Sequence, residues 1–134
     1  MPNYAQELFE NIERGMVLRI PRPEQEGIPP DKKVYFYIAV LAAVGEVLVI
    51  TRPESNPDEL SVDHHIYLMW SIRHNSFVHV KYHIIAWDYK HVSILPEKRH
   101  DLVKSFDALH VKPRTSWVEI LGLPPHTGTN AASS

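Results

Sequence analysis

Histidine is the residue type whose placement in this chain most invites chemistry. Nine of the 134 residues are histidine, and all nine lie at or after position 64. Neutral imidazole ligates metals and titrates near neutrality. The spacing nevertheless argues against a bound ion. His64 and His65 are adjacent at the start of a strand-like run, so their side chains leave opposite faces. His79 and His83 share a face, but four residues of strand separate them by about 13 Å, too far for one metal. No metal and no cofactor are expected. The face that carries His79 and His83 suits another task. Phe77, His79, Lys81 and His83 alternate with Ser76, Val78, Val80, Tyr82 and Ile84, and Arg73 extends the row. A ring beside cations is what single-stranded nucleic acid binding uses, the ring stacking on bases and the charges meeting phosphates. The plain alternative is that a helix covers this face and Phe77 is core.

The elements that would position these residues follow from apolar periodicity. Residues 3–14 read as a helix, with Asn3 as N-cap, Tyr4, Leu8 and Ile12 on one face, and Gly15 as the closing glycine. Residues 16–21 read as a short strand ending at proline. Residues 22–31 hold three prolines and a glycine and must be a loop. Two β-rich runs, 33–41 and 46–51, flank a glycine-containing link and give the best hairpin signal in the chain. A polar loop over 52–60 precedes a strand at 66–70, and residues 76–87 alternate with period two. Pro96 is expected to open a helix reaching about Leu109. Residues 116–121 fit a strand or a helical turn equally well. Trp70, Trp87 and Trp117 are expected in the core or at its end.

Strands without regular intervening helices argue for an antiparallel, mainly β (α+β) fold rather than a parallel α/β sheet. The expected arrangement is a small SH3-like barrel with an N-terminal helix and a late C-terminal helix. One domain over residues 1–123 is followed by a loose tail, 124–134, that has no large apolar side chain. Composition narrows the function classes. There is no cysteine, which excludes disulfides, thiolate zinc sites and cysteine nucleophiles. The formal net charge is −2, so a basic coat that grips nucleic acid by bulk charge is excluded, whereas a local basic patch is not. The N-terminal residues carry neither a cationic nor an apolar targeting pattern. The longest apolar stretch, Val34 to Val44, falls well short of the roughly 20 residues a membrane helix needs. A cytoplasmic protein with no membrane association is expected.

Three stretches give the chain a resemblance. Gly15 to Pro21 looks like a glycine followed by the first strand of a barrel. Asp31 to Leu41, then Glu46 to Thr51, looks like a central pair of strands ending in threonine. His74 to Tyr82 carries a serine-aromatic-valine pattern at Ser76-Phe77-Val78. Over about residues 15–110 the order of these elements resembles the PemK/MazF family of toxin endoribonucleases and its divergent plasmid-toxin-like relatives. The resemblance implies a toxin of a toxin–antitoxin system that cleaves single-stranded RNA without metal. It further implies a homodimer and a neutralising antitoxin protein. In ribonuclease members an arginine commonly starts the first central strand. Here Lys32 or Lys33 stands there, offering a point charge without the planar fork.

In-line attack by a 2′-hydroxyl needs a base, donors or a cation at the phosphate, and an acid for the leaving oxygen. On this reading Lys33 and Arg52 supply the cations and Thr51 donates to a phosphate oxygen. His64, His65, Glu24 or Glu26 supplies the acid or base. Antiparallel pairing would bring Lys33, Thr51 and Arg52 to one edge of the barrel. The lysine at the arginine position keeps a second reading open: a non-catalytic small-barrel module that binds a protein or nucleic-acid partner in a phage–host or plasmid system.

Overall fold

Asn3 starts the first helix as its side chain predicts: its Oδ1 accepts a hydrogen bond from the Gln6 amide at 2.9 Å. A computed structural model describes residues 2–79 and 83–110. The helix, α1, spans Tyr4–Asn11 and stops short of Gly15. Gly15 serves the next element instead. Its backbone is left-handed at φ 93°, and its amide donates to the Val40 carbonyl at 2.7 Å, which delivers the chain onto the sheet.

The strands are β1 (Met16–Pro21), β2 (Tyr35–Val44), β3 (Val47–Thr51), β4 (His65–Ser71), β5 (Ser76–His79) and β6 (Ser93–Lys98), followed by α2 (His100–His110). All pairings are antiparallel, and the strand order is β5-β4-β3-β2-β1-β6. The β2–β3 hairpin forms as expected, with Gly45 at φ 58° in its turn. The structure is thus mainly β and antiparallel with two short helices, but the barrel is not closed. Strands β5 and β6 lie at opposite ends of the order and do not pair with each other.

The open sheet has a physical reason. A sheet closes on itself when it must bury its own face, and here each face has a separate cover. On one face, Leu18, Ile20, Ile38, Val40, Leu48, Ile50, Leu68 and Phe77 pack against Ala5 and Leu8 of α1, Ile12 just after it, and Ile85, Trp87 and Tyr89. On the other, Val17, Ala39, Leu41 and Val49 meet Leu60 and Val62 and the α2 residues Leu102 and Phe106.

Two expectations about the second half are corrected. Pro96 does not open a helix; it lies within β6, an outer strand, where a residue without an N–H is tolerated. Helix α2 starts four residues later. The period-two run over 76–87 is not a single strand: β5 spans Ser76–His79, and residues 83–85 lie antiparallel to it, with the His79 amide donating to the His83 carbonyl at 2.8 Å and the Ile85 amide to the Phe77 carbonyl at 2.8 Å. Residues 116–121, Trp117 and the 124–134 tail lie outside the described residues.

Candidate nucleic-acid interface

The Thr51 side chain is fully buried at the end of β3, and its Oγ1 accepts the Ala39 amide at 3.0 Å. Beside it β2 and β3 slip register between Val40 and Ala42. The hydroxyl thereby satisfies a backbone donor near the irregularity and has no surface on which to meet a phosphate. Arg52, one residue on, is exposed, but its Nε and Nη2 both donate to the same Glu54 carboxylate oxygen, at 3.2 and 3.0 Å. Glu54 is fixed in turn, since its backbone pairs with Tyr37 of β2.

Lys33 stands elsewhere. Tyr37 is the β2 residue opposite Glu54, and Lys33 precedes it by four positions, up to about 13 Å of extended chain. The expected convergence of Lys33, Thr51 and Arg52 therefore does not occur. The reason lies in the pairing. Glu54 pairs with Tyr37 and Thr51 lies beside Ala39, so Thr51 and Arg52 sit farther along β2, away from Lys33.

The expected binding row is also rearranged. Phe77 is fully buried, directly opposite Trp70 across the β4–β5 pair. Its ring lies 6.0 Å from Phe9, 5.3 Å from Trp70, 5.7 Å from Trp87 and 5.9 Å from Tyr89. No base can reach it. Ser76 and Val78, on the opposite side of the same strand, are buried too. Both faces of β5 are covered, so alternation in sequence does not separate wet from dry. His79 is half-buried at the strand end. Arg73 and His83 are exposed, Arg73 in the β4–β5 turn and His83 on the returning segment. Lys81 lies outside the described residues. His64 is exposed and His65 half-buried, with His65 Nδ1 hydrogen-bonded to the Val62 carbonyl at 2.9 Å. Among the described residues, no three His, Asp or Glu side chains converge as metal ligands. No helix among them is long and apolar enough to cross a membrane.

What the fold does assemble is a pair of adjoining clefts around Lys33. The larger, of about 770 Å³, runs between the loop after β1 and the segment before β6. Arg22, Glu24, Glu26 and Lys33 line one side, and Trp87, Asp88 and His91 line the other. The smaller, of about 370 Å³, holds Arg19, Lys33, Tyr35, Lys90 and His91. Lys33 and His91 belong to both.

The loop wall is built by Gln25. Its Nε2 donates to the carbonyls of Arg22 and Val34 at 2.8 and 2.9 Å, and its Oε1 accepts the Val34 amide at 2.6 Å. This clamp ties the two ends of a proline-rich loop together and presents Lys33 beyond the last turn of Pro30–Lys32. On the far side, His91 Nδ1 is hydrogen-bonded to Asp88 Oδ2 at 2.7 Å, which fixes the two side chains against each other. Sequence reasoning found Lys33 but missed Arg19, Tyr35, Lys90 and His91. The available signal was the alternation in β1, where Arg19 is the lone charge in an apolar strand. Set against protein-family models, characterised proteins and solved structures, the chain matches none.

Proposed function

We propose that this protein is a non-catalytic binding module that takes single-stranded RNA along the clefts joined at Lys33. One observation carries the reading: Lys33 stands among the cations Arg19, Arg22 and Lys90 with the rings of Tyr35 and Trp87, with Glu24, Glu26 and Asp88 confined to the larger cleft, and apart from Thr51 and Arg52. Cations interleaved with aromatic rings suit phosphates and bases in an extended strand. Cleavage would need the cation, the donor and the acid or base at one phosphate. That convergence lacks support, because Thr51 is spent on a backbone amide and Arg52 on Glu54. The chain's net charge of −2 fits a local patch that steers a ligand to one groove, not a surface that adheres everywhere. A chain without cysteine suits a reducing, cytoplasmic setting for this task.

The test is fluorescence anisotropy of a labelled single-stranded RNA titrated with protein at several salt concentrations. Saturable binding is expected, weakening with salt by about 0.7 in log–log slope for each phosphate neutralised. Lys33→Gln should weaken binding and reduce that slope by about one contact's share. Arg52→Ala, outside both clefts, should leave binding unchanged. Equal losses from the two substitutions, or no binding at low salt, would reject the reading in favour of a protein partner.

A further inference from the structure

We infer that Arg19, Lys33, Lys90 and His91 form a seat for a single phosphate-class oxyanion at the β1–β6 end of the sheet. The inference rests on Arg19 and on the charge balance of the smaller cleft, independently of whether RNA fills the larger one.

Arg19 sits in the middle of β1, with Tyr37 and Ser93 as its partners on the two neighbouring strands. Alternation puts its side chain on the face of Val17. Helix α2 and Leu60 cover that face around Val17, Ala39 and Leu41. Toward Arg19 the cover gives way to the smaller cleft. There the guanidinium carbon lies 4.6 Å from the centroid of the Tyr35 ring. A guanidinium over a ring keeps its N–H donors in its own plane, available to an acceptor approaching from the side.

One donor of this guanidinium is left unmet by the fold itself. Arg19 Nε is buried and has no hydrogen-bond partner. Buried donors in folded proteins are almost always satisfied, and one left open on a charged group asks for an explanation. No carboxylate lines this cleft. Glu24, Glu26 and Asp88 all line the larger neighbour instead. Three cations thus line this space, together with an imidazole that is hydrogen-bonded to Asp88 of the neighbouring cleft. The planar fork of arginine and the point charges of lysine are the donors that phosphate oxygens take. At about 370 Å³ the space has room for a phosphate group on a carrier. That group is either the terminal phosphate of a nucleic acid or a small phosphorylated molecule.

Calorimetric titration with inorganic phosphate, at fixed ionic strength, tests the seat directly. Saturable binding is expected to be weakened about tenfold or more by Arg19→Gln, which removes the fork. Because Arg19 is half-buried, Lys90→Gln is the second variant; Lys90 is exposed and its loss leaves the core intact. It should weaken phosphate binding several-fold with an unchanged circular dichroism spectrum. Absence of saturable phosphate binding, or binding that both variants leave unchanged, would overturn the seat. Titration of RNA oligonucleotides with and without a 5′-phosphate separates the two sources. A preference for the phosphorylated end that Lys90→Gln removes supports the seat and names a nucleic acid terminus as its ligand. Phosphate binding without RNA binding supports the seat with a small ligand and rejects the RNA reading. RNA binding without phosphate binding rejects the seat and leaves the RNA reading standing.

Discussion

Thr51 shows how one side chain can carry opposite meanings. In sequence it ends a strand beside an arginine, the setting of a phosphate donor. In the fold its hydroxyl accepts the Ala39 amide inside the core. The two roles separate cleanly by mutation. Thr51→Val keeps the shape but orphans that amide, and should lower stability by about 1–3 kcal/mol in denaturant titration. Thr51→Ser keeps the acceptor and should retain most of it. Phe77 presents the same choice. As a base-stacking ring it would be dispensable to the fold. As the centre of a cluster with Phe9, Trp70, Trp87 and Tyr89, its replacement by alanine should cost about 3–5 kcal/mol. An unchanged unfolding midpoint for Phe77→Ala would contradict the packing described. The sequence left Phe77 open between ring platform and core and held no sign of the burial of Thr51, because both depend on what covers the sheet, and that cover comes from residues distant in sequence.

At the scale of elements, local signals were legible and long-range ones were not. The Asn3 cap, the proline-terminated strand at 16–21 and the glycine hairpin each depend on neighbours in sequence, and each forms. Asn3→Ala should therefore cost about 1 kcal/mol, seen as a lower melting temperature with the sheet unchanged. A loss near zero would mean that α1 is held by its packed face alone. By contrast, β6 was hidden by Pro96, whose usual place at a helix start competes with its tolerance on an outer strand. The Gln25 clamp was hidden for a different reason. A glutamine in a proline-rich loop looks like solvent-facing filler until the loop's two ends are known to meet. The same limitation applies to the smaller cleft, since Arg19, Tyr35 and Lys90 lie on three separate segments.

For the whole molecule, the antiparallel class was readable from strands that follow one another without helices. Closure was not, because it depends on whether helices are available to cover both faces. With α1 on one face and α2 on the other, the sheet stays open, and its β1–β6 end is left to the two clefts that meet at Lys33. The functional claim is that these clefts hold single-stranded RNA and leave it intact. The most direct check is the anisotropy of an end-labelled single-stranded RNA followed for hours after mixing with purified protein at low salt. The expected trace rises on mixing and holds a plateau above free RNA, then falls back to the free value when salt is added. A signal that drifts below the free value, as the label is released on a short fragment, would show cleavage and contradict the claim.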